Sequence, residues 1–503
     1  MRPGVPASAG FGLRRAIVAV TAVGLVAGFA VLDDVGRPLD LTWEEFRTPR
    51  LSRPPTMSAV PAEEERSVSW VCAPGAGTAD VRSSLVLVTN TSSHRRRVRP
   101  TLLWRSGSRA LPEFELPAGA RLPVRGAEVP SASGRAVLVE VDGGGVVASQ
   151  LVSGPSGVDL SSCARPASGR LVSATGSTIR TGRLSLVFAN PGAEDAVVDA
   201  FVRADDVSRR PRRLQDLVVP ARRTVVVELS DLVRLHRRVA ATIDVRGGLV
   251  VVGKVQVFDG GPDGLSASHA STASSARWYL PFGSARSGPP QRIVVYSPDQ
   301  GTLTNVSVSL DRNDEGGVPP FEVRVPPGGF GELDTDGSAW TSAVPDDVGY
   351  AATVASEGSP VAVERIVVGR GGEGVAVSWA HPAAATEWVI PVSGIESAEA
   401  EGVVVFNPST TAFARLRLEG SGPDGERVLF DGELAPATRL ALRLRSRASK
   451  WMFLDASAPV AVDYVVYFSD PSDIALFPAL PVSSAVREPV LGDEPVLGDR
   501  GEP

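Results

Sequence analysis

Leu85-Val86-Leu87-Val88-Thr89-Asn90 is an apolar, β-branched run that ends in a turn residue. It returns three times: Leu184-Ser185-Leu186-Val187-Phe188-Ala189-Asn190-Pro191, Ile293-Val294-Val295-Tyr296-Ser297-Pro298 and Val403-Val404-Val405-Phe406-Asn407-Pro408. A short uninterrupted apolar run bounded by turn residues reads as a buried strand. The copies lie about 100 to 110 residues apart, the length of one β-sandwich domain.

A second signature follows each copy by about 27 to 30 residues: Leu116-Pro117-Ala118-Gly119, Val219-Pro220-Ala221-Arg222, Val325-Pro326-Pro327-Gly328 and Ala435-Pro436-Ala437-Thr438. Proline at a strand end fits its missing N–H donor. Hairpins come next, as in Ala136 to Val141 returning through Gly143-Gly144-Gly145 into Val146. A third signature, Trp278-Tyr279-Leu280-Pro281 and Trp388-Val389-Ile390-Pro391, separates copies; Trp70-Val71-Cys72-Ala73-Pro74 is a looser case. At the second boundary Cys163 stands before Pro166, where the others carry an aromatic. Roughly seven strands per copy predict an all-β chain of about four tandem immunoglobulin/fibronectin-like β-sandwich modules. The modules run over 67–166, 167–275, 276–385 and 386–484. The rival architecture is a β-propeller in which each copy supplies two four-stranded blades.

Composition agrees with an all-β chain: 51 Gly and 41 Pro punctuate Val-rich runs. The charge is polarised. Ser67 to Ser275 carries 26 basic and 18 acidic residues, whereas Ala276 to Pro503 carries 17 and 31. Cys72 and Cys163 are the two cysteines. Two cysteines alone make no zinc site and their spacing matches no redox motif, so one disulfide is expected in an exported chain, two buried thiols being the alternative.

Residues 1–15 read as a cytoplasmic N-terminus, because Arg2, Arg14 and Arg15 precede the apolar run 16–32. That run is expected to be a single-pass signal anchor at the cell membrane; cleavage after Ala30 and secretion is the alternative. Residues 33–66 hold Pro38, Pro49, Pro54, Pro55 and Pro61 and read as a tether. Residues 485–503 repeat Glu-Pro-Val-Leu-Gly-Asp directly and read as a disordered acidic tail.

A short tether, a Cys-containing strand after it and sandwich-like copies with strand-Asn-Pro turns together resemble the domain of unknown function 5719 family, a group of exported, membrane-anchored actinobacterial proteins. The resemblance spans about Ser67 to Ser484. It implies a cell-envelope location and brings no catalytic residues.

The chemical motifs read mostly as scaffold. Gly248 to Lys254 has the outline of a phosphate-binding loop, but Val255 replaces the hydroxyl residue that holds Mg²⁺, and the stretch reads as a strand. Gly369, Gly371 and Gly374 have dinucleotide-loop spacing, yet a strand follows where a helix is required. Asp311, Asn313, Glu315 and Glu322 have the spacing of a calcium loop, with Pro319 inside it; a solvated acidic turn is the plainer reading. His94, His236, His269 and His381 share no ligand spacing. Glu364 and Asp463 occupy equivalent positions where the first two copies have Ser149 and Gly253, which suits a polar strand position better than an acid/base pair.

Arginines cluster in the first two copies: Arg95, Arg96, Arg97 and Arg99; Arg209, Arg210, Arg212 and Arg213; Arg222 and Arg223; Arg237 and Arg238. They are either solvated faces or contacts to anionic lipid headgroups or cell-wall polymers. No aromatic-basic pattern suggests nucleic acid. No cofactor is expected. The function expected is a non-enzymatic, membrane-anchored extracytoplasmic repeat protein that binds or spaces envelope components. The alternatives are a carbohydrate-binding accessory of envelope glycan assembly and an envelope hydrolase.

Overall fold

The computed structural model describes residues 58–489 apart from 74–79, 126–134, 261, 285–287, 314–317, 336, 338–339, 342–343, 345–348, 392–397, 423–424, 445–448 and 470–471. The apolar run 16–32 therefore lies outside the described residues, as do most of the tether and the tail. No helix among the described residues is long and apolar enough to cross a membrane. Pro54–Pro503 forms one compact unit.

The chain is all-β. Copy one contains β1 (Ser67–Cys72), β2 (Ser83–Asn90), β3 (Arg96–Trp104), β4 (Gly107–Ala110), β5 (Phe114–Leu116), β6 (Arg121–Arg125), β7 (Ala136–Asp142), β8 (Val146–Gly154) and β9 (Gly157–Ser162). Copy two contains β10 (Ala167–Ser173), β11 (Arg183–Asn190), β12 (Ala196–Ala204), β13 (Val207–Arg209), β14 (Leu217–Val219), β15 (Arg223–Glu228), β16 (Val239–Phe258) and β17 (Gly264–His269). Copy three contains β18 (Arg277–Gly283), β19 (Gln291–Tyr296), β20 (Thr304–Arg312), β21 (Phe321–Val325), β22 (Phe330–Asp334), β23 (Tyr350–Glu357), β24 (Ala362–Val368) and β25 (Val375–Trp379). Copy four contains β26 (Ala384–Pro391), β27 (Ala398–Asn407), β28 (Ala414–Gly422), β29 (Gly425–Leu434), β30 (Thr438–Leu444), β31 (Trp451–Ser469), β32 (Ser472–Pro478), β33 (Leu480–Pro481) and β34 (Val486–Arg487).

Each copy builds two antiparallel sheets. In copy one the first sheet runs β1-β7-β3-β4 and the second β6-β2-β8-β9. Copy three repeats this as β18-β23-β20-β21 and β22-β19-β24-β25. In copies two and four one long strand serves both sheets. The first half of β16 pairs with β10 and β12, and its second half with β11 and β17. β31 does the same with β26 and β28, then β27 and β32. Where copy one has the turn Gly143-Gly144-Gly145, copy two continues as strand through a bulge at Gly247-Gly248, with Gly248 at positive φ, and copy four through Ala458-Pro459. Gly248 to Lys254 is strand, and Gly369 to Gly374 is the turn between β24 and β25, as the flanking sequence predicts.

The two sheets of a copy pack face to face, but each first sheet also packs against the next copy. On β7, Val137, Val139 and Val141 meet Val86 and Val88 of their own second sheet. On its other face, Ala136 and Leu138 meet Val187, Ala189 and Val251 of copy two. Val172 and Ala240 of copy two join Ile293 to Tyr296 of copy three in one core. Tyr279 and Ala351 of copy three join Phe406 and Ala461 of copy four. Copy four and copy one share a single core. There the Trp451 indole donates to the Gly119 carbonyl at 3.1 Å and Arg121 donates to the Lys450 carbonyl at 2.8 Å. The last strands meet in the same order: β9 touches β17, β17 touches β25, β25 touches β32, and β32 touches β9. The four copies thus close a circuit. Second-sheet strands such as β2 and β8 are covered on both faces, which is why the repeated run is apolar at successive positions rather than alternating.

The two sequence signatures are tied by one side chain. The Asn90 amide donates to the carbonyls of His94, Leu116 and Pro117 at 2.8, 3.0 and 3.1 Å, and its oxygen accepts from the Ser92 N–H. Asn190 donates to Glu194 and Val219. Asn407 donates to Ala412, Leu434 and Ala435. All three are fully buried, so each saturates a turn that water cannot reach.

The boundary tryptophans are structural too. The indoles of Trp70, Trp278 and Trp388 donate to the carbonyls of Val146, Val361 and Val460. The bridges Val71↔Ala164, Val172↔Ser271 and Tyr279↔His381 set the alignment of the copies. By that register Leu171, not Cys163, takes the aromatic's place in copy two. Cys163 instead ends copy one and bonds Cys72 across the core, with Cα atoms 4.5 Å apart.

The chain entering copy one completes the closure. Val60 bridges Val482, its N–H donating to the Pro481 carbonyl at 2.8 Å, while Ser483 donates back to the Val60 carbonyl. Gly145 donates to Pro61, and at Gly144 a Cβ would run into the Ala62 carbonyl. The end of the tether is therefore packed at the junction of copies four and one.

Candidate functional site

Two groups of polar side chains stand out, one inside the circuit and one on its surface. The inner group sits on the third strand of each second sheet. Leu87, Val187, Val294 and Val404 pair with Ser149, Gly253, Glu364 and Asp463, and the next residues are Gln150, Lys254, Arg365 and Tyr464. Between copies two and three, Lys254 Nζ lies 3.0 Å from both Glu364 oxygens and 2.8 Å from Thr175 Oγ1, which itself donates to Glu364 at 2.5 Å. Between copies three and four, Arg365 donates to Asp463 at 2.7 Å, His381 Nε2 lies 3.0 Å from the other Asp463 oxygen, and the Phe282 N–H donates at 3.0 Å. Burial pushes the Asp463 carboxyl up, but Arg365 and His381 outweigh it and hold it below the usual carboxylate range. Both ion pairs are essentially solvent-free. Glu364 and Asp463 belong to separate pairs, so they do not face each other as acid and base. They are more than the polar strand positions that the sequence suggests: each neutralises a cation from the preceding second sheet.

Further along the inner strands, Gly157, Gly264, Gly374 and Asp473 are equivalent. The Asp473 carboxylate occupies the space that a Cβ at Gly157 or Gly374 would need. It accepts from the Val158 N–H at 2.7 Å and the Ile474 N–H at 2.8 Å, and burial pushes it up to about 7. Asp159 accepts from Ala267 N–H at 2.6 Å and Ser266 Oγ at 3.1 Å, linking copies one and two; burial raises it well above the usual range, with Asp473 adding to the rise.

The histidines do not converge. His94 is exposed beside Glu63. His236 Nδ1 meets Asp205 at 2.8 Å. His269 Nε2 accepts from the Ala73 N–H at 3.1 Å, and burial drives its pKa down to about 3. The calcium-loop spacing does not converge either. Glu322 pairs with Ser307, four strand positions from Asp311, or about 13 Å along β20. Asn313 exchanges hydrogen bonds with the Arg439 backbone, and Glu315 lies outside the described residues. Among the described residues no group of three or more His, Cys, Asp or Glu could hold a metal ion. Of the seven described tryptophans, Trp70, Trp278, Trp340, Trp379, Trp388 and Trp451 are buried, which leaves only Trp104 half-exposed as a stacking surface.

The arginine clusters divide by their partners. In copy one, Arg95, Arg97 and Arg99 pair with Glu115, Glu113 and Asp142, and Arg96 bonds Ser92 and the Glu63 carbonyl. Arg222 pairs with Glu140, and Arg238 with Asp205 and Asp206. Arg223 and Arg237 are exposed. Arg209, Arg210, Arg212 and Arg213 are all exposed and have no ion pair among the described residues. They lie on and just beyond β13, the edge strand of copy two's first sheet. Beside them opens a cleft of about 280 Å³, lined by Phe201, Arg203, Ser208, Arg209 and Arg210 of copy two and by Tyr296 and Gln300 of copy three. Sequence clustering marked these arginines; the juxtaposition with Tyr296 and the partnering that removes the other cluster belong to the tertiary structure.

No curated protein matches the chain. Residues 69–246, from the Trp70 strand into the middle of β16, match the model of a family of unknown function, DUF5719.

Proposed function

We propose that this is a non-enzymatic extracytoplasmic repeat protein, held at the cell membrane by its apolar run 16–32, which binds or spaces components of the cell envelope. The observation that carries the reading is the Cys72–Cys163 disulfide, closed inside the core of copy one. A structural disulfide of this kind persists in oxidising compartments and is rare in the cytosol. The packing of Val60 and Pro61 at the junction of copies four and one supports it further, because it joins the tether to a closed body rather than to a free first module.

The four copies are, in this reading, sandwich-like sheet pairs locked into a propeller-like circuit rather than independent immunoglobulin-like modules. The core shared by copies one and four favours it.

Labelling of intact cells with a membrane-impermeant reagent, followed by fractionation and thiol alkylation, tests the reading. The body should be labelled from outside, remain with the membrane, and expose no alkylatable thiol until reduced. The purified full-length chain should be retained on isolated envelope material. A cytoplasmic protein with two free thiols overturns the reading.

A further inference from the structure

We propose that the cleft between copies two and three is a binding site for the phosphate groups of a linear polyanion. The inference deepens the binding role proposed above and rests on it.

The cleft presents guanidinium groups that are oriented but not neutralised. Arg203 spends Nε on the Asp205 carbonyl at 3.0 Å and Nη1 on Ser208 Oγ at 3.2 Å, which fixes the fork and leaves Nη2 for a ligand. Arg210 lies over the Phe201 ring, its Cζ 4.7 Å from the centroid, so its plane is held without consuming a single N–H donor. Arg209 completes the lining on the edge strand, and Arg212 and Arg213 continue outward from it. Of the neighbouring carboxylates, Asp205 meets His236 and Arg238, Asp206 meets Arg238, Asp244 meets Arg170, and Asp299 accepts from Ser359 and the Gly301 N–H; none pairs with Arg209 or Arg210. A planar fork of fixed donors matches phosphate oxygens better than a mobile ammonium does.

Two features select a polymer. The cleft is recessed between two sheets, so a group must enter it, which a strand of soluble polymer can do and the flat surface of a bilayer does not favour. The run of exposed arginines beyond the cleft offers contacts to further charges on the same strand, which a single small anion cannot use. The copy-one cluster has its charge spent on Glu113, Glu115 and Asp142 and is not part of the site.

The test uses the full-length chain in detergent with inorganic polyphosphate, monomeric phosphate, polyglutamate and anionic phospholipid vesicles as separate probes. Polyphosphate should bind most tightly, and its affinity should fall steeply with salt. The double variant Arg209→Gln/Arg210→Gln should weaken it at least about tenfold with an unchanged melting curve, since two charge-assisted contacts are lost. Arg95→Gln/Arg97→Gln should change it less than about twofold, because these groups are already paired. Equal loss in both double variants overturns the site. Equal binding of polyglutamate overturns the phosphate class, and binding to vesicles without polyphosphate binding overturns the polymer. Retention on envelope material with no polyphosphate binding overturns this inference alone and leaves the broader binding role standing.

Discussion

The buried amide of Asn90 and the charge on Lys254 show what single side chains do here. Asn90, Asn190 and Asn407 each satisfy carbonyls that lie about 27 residues downstream and are closed to water. Truncating Asn90 to Ala removes its donor from three carbonyls; His94 and Pro117 keep a second one, from Ser92 Oγ and the Ala120 N–H, whereas the buried Leu116 carbonyl loses its side-chain partner. The expected cost is about 2 to 3 kcal/mol in chemical denaturation, whereas Asn90→Asp should be worse because it brings an acceptor and a charge. The Lys254–Glu364 pair behaves differently. Lys254→Met alone should destabilise by about 3 to 5 kcal/mol, because Glu364 is left charged and solvent-free. Lys254→Met combined with Glu364→Leu should recover most of that loss. A double-mutant cycle measures it, and additive losses would contradict the pairing. The asparagines were legible in the sequence as turn residues, before Pro at Asn190 and Asn407, since a turn is a local event. Their downstream acceptors were visible only as a second repeat at constant spacing. Glu364 was legible as a polar interruption of an apolar strand, but its cation comes from another copy, 110 residues away.

At the level of strands, three glycines and one aspartate hold one equivalent position in or just before β9, β17, β25 and β32, and the aspartate uses the room that Gly157 and Gly374 leave. Asp473 is raised from the ordinary 3.8 to about 7 by burial. The folded state therefore keeps a proton that the unfolded chain releases above about pH 4. This contribution is full below about pH 4 and is lost as pH rises through about 7, by up to ~4 kcal/mol. Asp463 has the opposite sign: its depressed pKa contributes stability above about pH 4 that is lost on acidification. Denaturation midpoints should thus fall between pH 5 and pH 8 in the native chain and fall less in Asp473→Asn. The same slope in both would rule out Asp473 as its source. Of these strands sequence reading recovers β25, because an apolar run after a glycine turn is a local pattern. It does not recover that β16 and β31 each run through two sheets. That depends on Gly247-Gly248 and Ala458-Pro459 carrying the strand onward, through a bulge at Gly248, where Gly143-Gly144-Gly145 turns, and the composition is equally compatible with either.

For the molecule as a whole, the decisive feature is that hydrophobic cores cross the copy boundaries. Isolated 67–166 would expose Ala136 and Leu138, normally covered by copy two, and the face that copy four covers. Such a fragment should lack cooperative thermal unfolding and bind hydrophobic dyes, while the closed body unfolds in a single transition. A fragment that folds alone with native-like dispersion would restore independent modules. The two ion-paired junctions sit between copies two and three and between copies three and four, while the equivalent positions at the other two junctions are Gln150 with Gly253 and Tyr464 with Ser149. The copies are therefore not interchangeable: a Lys or Arg placed at Gln150 or Tyr464 would face Gly253 or Ser149 and be buried with no carboxylate at the paired position.

The sequence by itself determined the all-β class, the fourfold period, the strand and turn positions and the expectation of a disulfide. These follow from residue-level preferences: β-branched runs for strands, Asn, Gly and Pro for turns, two cysteines with no other use. Only the tertiary structure decided how the four copies meet, which arginines keep their charge free and which buried carboxylates neutralise which cations. Those outcomes depend on side chains about 100 residues apart arriving on facing surfaces, and no local preference encodes that arrival.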